Sequence, residues 1–136
     1  MEIDCTFTWV TTYEAFADAN SQSGGQLDWH QYESASAVLQ RKIANCYGFS
    51  ALNAALLQAA GINARVIRGW AGEIVEDGTW KTSETTHAWN EVMLDGEWII
   101  VDTTWDRSKS NGISHAYFDP DPVFFSSSHV EDKVIY

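Results

Sequence analysis

Residues 86–103, THAWNEVMLDGEWIIVDT, decide the fold because they predict a β-hairpin. The dipeptide Asp95-Gly96 suits a type I′ turn, in which both central residues need a positive φ. Two runs rich in apolar and β-branched residues flank this turn, Thr86–Leu94 before it and Glu97–Thr103 after it. The hairpin therefore supplies the antiparallel part of a sheet.

The turn also sets which side chains of the two strands meet. A two-residue loop pairs Leu94 with Glu97, and counting outward from that pair places His87 opposite Thr104. Residues two apart on a strand share a face, so Asp102 becomes the diagonal neighbour of His87, within reach of a hydrogen bond. A three-residue loop would instead send Asp102 to the opposite face. The two residues also fit a simpler interpretation, a polar pair at the end of a sheet.

Helices are predicted upstream of the hairpin. One lies between Asp28 and Lys42, where apolar residues recur at helical spacing: Tyr32, Ala35, Val38 and Leu39. A second follows the N-cap Asn45 and stops at Gly61. Its predicted apolar stripe is Phe49, Leu52, Leu56 and Ala59 or Ala60. The following segment, Ala64–Trp70, predicts a strand, and a turn at Asp77-Gly78 comes after it.

The two ends of the chain carry weaker signals. Residues 7–17 have apolar residues at helical spacing, although the threonines at 6, 8, 11 and 12 also favour a strand. The loop Asn20–Gly25 divides this unit from the rest. Near the other end, Phe118–Pro122 predicts a turn or extended link, after which Phe124-Phe125 returns apolar side chains to the core. Helices followed by an antiparallel sheet predict one α+β domain over residues 1–136, with the helices packed on one face of the sheet.

Composition narrows the classes of partner. The formal net charge of −11, from 19 acidic and 8 basic residues, opposes binding to nucleic acid and to anionic membrane faces. The apolar runs are too short for a membrane span, and no targeting segment is visible, so we predict no membrane span. Oligomeric state and localisation stay open, and a cell-surface or extracellular site fits a chain taken from a longer protein.

Cys46 falls in the first turn of the second predicted helix. The unpaired N–H groups and positive dipole end at that position favour a thiolate over a thiol. A cysteine there is more often a small buried apolar residue, so it needs partners to indicate catalysis. Cys5 is the other cysteine, and a Cys5–Cys46 disulfide would consume the thiol.

Four segments resemble the transglutaminase-like superfamily, whose core has a cysteine at a helix start, a His-Ala-Trp strand and an aspartate before a small-residue turn. In chain order they are NCYGFS at 45–50, GINARVIRG at 61–69, THAWNEV at 86–92 and GEWIIVDTTWD at 96–106. The resemblance covers Gln31–Asp106, and the ending from 117 to 129 is similar to the tail of bacterial members. Ala44 departs from the usual glycine, and residues 9–13 look like the later half of a longer helix, which suggests a trimmed domain.

The resemblance implies a papain-like core and thiol acyl chemistry on protein or peptide amides, and from the sequence we expect neither a cofactor nor a metal. Cys46 would attack the carbonyl, His87 would act as its base, and Asp102 would orient the imidazole. The resemblance does not decide between transamidation and hydrolysis. It also leaves the second oxyanion donor open, for which the candidates are Gln31, Trp29 and Trp9. The alternative is a binding or scaffolding module that keeps the fold without turnover.

The remaining aromatic residues and histidines have less specific interpretations. Packing is favoured over a substrate groove for Trp89 and Trp105, whereas Tyr47 fits a cleft or the core equally well. A surface or structural role is favoured over metal ligation for the other histidines, because they are widely spaced among ordinary polar residues: His30, His115 and His129. No calcium loop or His-x-x-x-His pattern is present in the sequence.

Overall fold

The computed structural model describes residues 33–72, 85–107 and 115–135. In these ranges its elements are, in chain order, α1 Ala35–Arg41, α2 Cys46–Ala59, β1 Ala64–Ala71, β2 Thr85–Leu94, β3 Glu97–Val101, α3 Thr103–Arg107, α4 Pro122–Ser126 and β4 His129–Val134. The strands form one antiparallel sheet in the order β3-β2-β1-β4. The predicted α+β class, with helices packed on an antiparallel sheet, is confirmed. The predicted N-terminal unit, its loop and the turn at Asp77-Gly78 lie outside the described residues.

The hairpin has the predicted turn and register. Asp95 and Gly96 have φ angles of 51° and 84°, and Leu94 pairs with Glu97. The pairing continues to Asn90 opposite Val101, where β3 ends. The predicted second strand was therefore too long, because residue 103 already begins α3. The predicted pair of His87 with Thr104 was wrong for the same reason, since the two strands have parted by that point.

Local capping sets both ends of α2. The side chain of Asn45 accepts a hydrogen bond from the Gly48 N–H at 3.0 Å, so the predicted N-cap is confirmed. At the other end Gly61 has a φ of 83°, and its N–H donates to the Gln58 carbonyl at 3.0 Å. The next N–H, of Ile62, donates to the Leu57 carbonyl at 2.9 Å. These two bonds make a Schellman motif, which explains why the helix stops at this glycine.

The buried face of α2 is wider than the predicted stripe. Phe49 and Leu52 are buried as expected, against Val38 of α1. Beyond them the prediction was wrong, because Leu56 is only partly buried and residues 59 and 60 are exposed. Leu57 is buried instead and packs toward the sheet. The helix lies between α1 and the sheet, so two of its faces are covered and a single stripe cannot describe it.

Helix α1 is shorter than the periodic pattern suggested. Among the described residues it begins after Ser34, whose side chain accepts from the Ala37 N–H at 3.2 Å. Val38 is completely buried, whereas Leu39 is 53% exposed, so the expected inward position of Leu39 was wrong. Lys42 ends the helix with a φ of 61°. One buried residue in two turns leaves most of this helix facing outward.

The C-terminal segment completes the sheet, which sequence patterns did not indicate. Strand β4 pairs with β1 and shifts register between Arg68 and Gly69. A Cβ on Gly69 would collide with the Val130 carbonyl and would lie 2.5 Å from the Trp89 ring, so only glycine fits there. Just before β4, one of the two phenylalanines behaves as predicted: the side chain at 125 is buried, whereas its neighbour at 124 is 48% exposed. No described helix is both long and apolar enough to cross a membrane.

Replacing Leu52 by alanine should lower the free energy of unfolding by about 2–5 kcal/mol, because the side chain is 3% exposed and a cavity would remain. The matched control is the same change at Leu39, which should cost at most about 0.5 kcal/mol because that side chain is exposed. Urea denaturation measures both values. Equal losses for the two variants would contradict the packing of α2 described above.

Candidate active site

The cysteine of the site begins α2. Cys46 is the first helical residue after the Asn45 cap, is 8% exposed, and carries a free thiol. The N–H groups of a first helical turn have no acceptors within the helix, so this end favours negative charge. The Ser50 hydroxyl donates to the Cys46 carbonyl at 2.8 Å and tightens the same turn. The backbone thus fixes the position of the thiol.

Two buried asparagines attach α2 to the sheet. Asn53 of α2 donates to the side-chain oxygen of Asn90 on β2 at 3.0 Å. The Asn90 amide nitrogen donates back to the Ser50 carbonyl of α2 at 2.9 Å and to the Arg65 carbonyl of β1 at 3.1 Å. Asn90 is wholly buried and connects three elements. This network sets the height at which the cysteine end of α2 lies over β2, the strand that carries the site histidine.

His87 and Asp102 are in direct contact. Nε2 of His87 lies 2.7 Å from Oδ2 of Asp102, and both side chains are buried. Asp102 reaches the histidine from the connection after β3 and also caps α3, because its Oδ1 accepts from the Trp105 N–H at 3.0 Å. The expected hydrogen bond therefore exists, but it is made by a helix-capping residue and not by two paired strand residues.

The buried pair is strongly polarised. Burial disfavours the imidazolium of His87, but the charge of Asp102, its hydrogen bond and the adjacent Cys46 outweigh this and raise the His87 pKa from 6.5 to about 10. Burial likewise acts against the Asp102 carboxylate, yet the charge of His87 and hydrogen bonds from two histidines lower its pKa below the ordinary value. The site therefore favours an imidazolium–carboxylate pair, and Cys46 is among the groups that raise the His87 pKa.

A second histidine reaches the same carboxylate. Nε2 of His129, at the start of β4, lies 2.9 Å from Oδ2 of Asp102, and its Nδ1 lies 2.8 Å from the Ser128 hydroxyl. Sequence reasoning gave His129 a surface or structural role, whereas its side chain is fully buried inside the site. His115 is exposed, and His30 lies outside the described residues. If the segment after Phe125 had been predicted as a strand, the sequence would also have indicated that the His129 side chain faces the interior.

The three clustered side chains also meet the distance criterion for a metal site. One donor atom from each of His87, Asp102 and His129 lies within 4.8 Å of the other two. The Nε2 atoms of both histidines are, however, engaged with Oδ2, and a carboxylate only accepts hydrogen bonds. Both nitrogens therefore carry protons and have no lone pair to offer. The arrangement fits a hydrogen-bond network better than a metal centre.

Aromatic rings enclose this network. Trp89 is 2% exposed and packs edge-on against Phe125, so packing is its main role as expected. The Trp105 ring is partly buried, 4.5 Å from the His129 ring and 6.0 Å from the His87 ring. Tyr47 is partly buried and packs against the core beneath the sheet. The rings exclude water from the polar pair, which strengthens the hydrogen bonds within it.

Tyr117 connects the C-terminal segment to the end of β3. Its carbonyl accepts from the Asp102 N–H at 2.9 Å, and its own N–H donates to Oδ1 of Asp106 at 2.9 Å. Burial raises the pKa of its phenol, and the charges of Asp102 and Asp106 raise it further. The backbone on both sides of the site aspartate is thus held in place.

A family model described as the transglutaminase-like superfamily matches residues 6–103. The chain belongs to the transglutaminase-like superfamily. The match includes the cysteine, the histidine strand and the site aspartate in one stretch. It confirms the resemblance that the four sequence segments indicated.

Curated relatives and solved structures agree with this membership. The chain is 29% identical to the human kyphoscoliosis peptidase and 30% identical to the mouse protein, in each case over 105 residues, 71% of this chain and 16% of the relative. It thus spans about a sixth of their length. A crystal structure described as a TGase superposes with a TM-score of 0.51 at 23% identity, covering 74% of this chain and 24% of that one. A structure of a protein from Cytophaga hutchinsonii, provisionally described as a cysteine protease, superposes with a TM-score of 0.54 at 20% identity. The match covers 97% of this chain and 40% of that one.

Substituting Asn90 by alanine should lower the free energy of unfolding by about 1–3 kcal/mol, because several buried groups lose a hydrogen-bond partner. Those groups are the Asn53 amide and the carbonyls of Ser50 and Arg65. The control is Asn63→Ala, at an exposed asparagine, which should change little. Urea melts compare the two variants, and a similar small loss in both would show that the network does not hold α2 on the sheet.

The imidazolium–carboxylate pair should make stability depend on pH. The raised pKa of His87 stabilises the fold fully below pH 6.5, and this contribution is lost as the pH rises toward about 10. The lowered pKa of Asp102 contributes stability above pH 3.8 that is lost as the pH falls below that value. Asp102→Asn should remove both dependences. Unfolding free energies measured from pH 3 to 10 should therefore depend on pH differently in the wild type and in Asp102→Asn. Parallel curves would argue against the His87–Asp102 ion pair.

Proposed function

We propose that this chain is a cysteine-dependent acyl-transfer enzyme acting on protein or peptide amides. In this proposal Cys46 is the nucleophile, His87 its general base and Asp102 the residue that orients the imidazole. The observation that carries it is the buried 2.7 Å hydrogen bond between His87 and Asp102, in a chain that also has a free, buried thiol in the first turn of α2. Membership of the transglutaminase-like superfamily supports the same chemistry.

The hydrogen bond assigns the two nitrogens of the imidazole. Nε2–H of His87 donates to Asp102, so Nδ1 is the nitrogen that takes the proton of the Cys46 thiol and holds it in the imidazolium form that the site favours. With that proton on Nδ1 the sulfur is a thiolate, and it attacks the carbonyl carbon of the amide. A C–S bond forms as the C=O π bond opens and its electron pair moves to the oxygen. The resulting imidazolium is stabilised by the Asp102 carboxylate, which stays ionised.

The second half of the cycle releases the amine. The tetrahedral intermediate collapses with cleavage of the C–N bond, and the imidazolium returns its proton to the leaving nitrogen. A thioester on Cys46 remains. Attack by water then gives hydrolysis, and attack by a primary amine gives transamidation, with His87 removing the proton from either nucleophile. The same three residues serve both outcomes, and relatives named peptidase and TGase represent the two classes.

The oxyanion of the tetrahedral intermediate needs hydrogen-bond donors. The Cys46 backbone N–H is the first candidate, because the first N–H of a helix has no acceptor within the helix. The neighbouring Gly48 N–H is already bound to the Asn45 side chain. A second donor would come from another segment, and the sequence candidates at 9, 29 and 31 lie outside the described residues.

The three site residues should differ in the damage that their loss causes. On a panel of peptide amides, Cys46→Ala should abolish the acyl-enzyme, His87→Ala should nearly abolish it, and Asp102→Asn should leave a measurable remnant. Adding His87→Ala to Cys46→Ala should change nothing further, because the groups act as one unit. Intact-protein mass spectrometry detects the thioester, with and without a primary amine as acceptor.

Cys5→Ala is the matched control for the nucleophile and should form the acyl-enzyme as the wild type does. An acyl group on Cys5, or turnover that persists in Cys46→Ala, would overturn the proposed mechanism. Peptide binding by the wild type without any acyl-enzyme would favour the binding-module alternative. Iodoacetamide labelling separates these cases further, since the poised thiol should be alkylated faster in the wild type than in His87→Ala.

A further inference from the structure

One carboxylate oxygen of the site is shared by two histidines. Oδ2 of Asp102 lies 2.7 Å from Nε2 of His87 and 2.9 Å from Nε2 of His129, while Oδ1 accepts from the Trp105 N–H at 3.0 Å. Because an ionised carboxylate can only accept, both imidazoles donate to it. His129 thus supplies a second donor to the same oxygen that His87 uses.

We propose that His129 is a positioning residue, whose Nε2–H holds the Asp102 carboxylate in the orientation that His87 requires. The terminal torsion of an aspartate is broad and has no sharp preference of its own, so the donors around it set its plane. With His129 in place, each carboxylate oxygen is held by a partner other than the base. The inference rests on the proposed function, in which Asp102 orients the imidazole of His87.

His129 is itself rigidly held, as a positioning residue must be. Its ring stacks on Phe125 at 3.9 Å with an interplanar angle of 16°, and it meets the Trp89 ring edge-on at 5.3 Å. Its backbone pairs with Ala71 of β1. The Ser128 hydroxyl lies 2.8 Å from Nδ1, so neighbours hold both ring nitrogens, and Nε2, which faces the carboxylate, is a donor. The donor therefore points at Asp102 from a fixed ring.

The two histidines have different tasks in this arrangement. Both ring nitrogens of His129 are engaged, one with Ser128 and one with Asp102. His87 uses only Nε2 for Asp102, and Cys46 helps to raise its pKa. His87 therefore exchanges protons with the sulfur, and His129 acts on the reaction only through the carboxylate.

A purely structural histidine would fill space among the aromatic rings, and two substitutions separate that role from positioning. His129→Phe keeps a ring of similar size for stacking but removes the donor to Asp102. His129→Gln removes the ring but keeps an amide N–H that can reach the carboxylate. Positioning predicts that phenylalanine is the more damaging to catalysis, whereas space filling predicts that glutamine is.

For His129→Phe, kcat for acyl transfer should fall about 10- to 100-fold, the value of one hydrogen bond to a charged group, with KM nearly unchanged. His129→Gln should restore part of that loss. His115→Phe is the matched control at an exposed histidine and should keep wild-type kcat. Wild-type kcat in His129→Phe, or folded variants in which glutamine is as damaging as phenylalanine, would overturn the proposal.

A spectroscopic measurement tests the same inference without turnover. In the ¹⁵N-labelled protein, the downfield Nε2–H proton of His87, identified by its loss in His87→Gln, should shift in His129→Phe and move back toward its wild-type position in His129→Gln. An unchanged resonance in His129→Phe would overturn the positioning role. If the wild type forms no acyl-enzyme, the proposed function fails, while this resonance still decides whether His129 holds Asp102.

Should neither variant at 129 fold, Ser128→Ala decides the question, because it leaves the ring in place and removes the partner of Nδ1, together with a 3.4 Å hydrogen bond to the Phe125 carbonyl. Loss of the neutral hydrogen bond at Nδ1 should lower kcat about 2- to 10-fold and shift the His87 resonance. Ser126→Ala, at an exposed serine of α4, is the control and should do neither. An unaltered His87 resonance in Ser128→Ala would then overturn the proposal.

Discussion

The buried carboxylate of Asp102 is the constraint on which the rest of the site depends. An ionised group with no solvent exposure is stable in a protein only when enough donors replace the water it has lost. Here the donors come from three separate elements, His87 on β2, the first turn of α3 and His129 on β4. The carboxylate therefore requires that these elements meet at one point, and it loses much of its stabilisation when one of them is displaced.

The asparagine network has a comparable effect on the opposite side of the site. An apolar helix can slide along a sheet at little cost, because contacts between aliphatic side chains are not directional. Asn90 removes that freedom, since its amide satisfies groups on α2 and β1 only at one height of the helix. The position of the cysteine over the histidine strand is thus set by directional bonds and not by packing alone. Apolar packing stabilises the contact between α2 and the sheet, and the Asn90 amide determines the height of α2 on the sheet.

The parts of this arrangement that could be predicted from the sequence are those that depend on neighbouring residues. The turn at Asp95-Gly96 and the caps at Asn45 and Gly61 follow from local backbone chemistry, and the structure has all three. The contact of His87 with Asp102 was also expected, although β3 ends before the aspartate. The chemical roles of Cys46, His87 and Asp102 stay predictions.

What the sequence did not indicate depends on partners far along the chain. The buried faces of α2 are chosen by α1 on one side and the sheet on the other, so no single periodic stripe describes them. His129 looked unremarkable because its burial comes from the pairing of β4 with β1, more than fifty residues earlier in the sequence. Such pairing leaves no periodic signal when most of the strand is exposed, as β4 is after its first residue.

The place of β4 in the sheet order has a consequence for how the protein is made. On a ribosome β1 emerges well before its outer neighbour, so one edge of β1 has no partner until His129–Val134 has been synthesised. Gly69 lies on that edge, where the final arrangement leaves no room for a side chain. A nascent chain that already contains the cysteine, the histidine and the aspartate therefore still lacks the strand that closes the sheet and encloses the carboxylate. The Asp102 carboxylate therefore gains its donor from β4 only after His129 has emerged, later than the donors from β2 and α3.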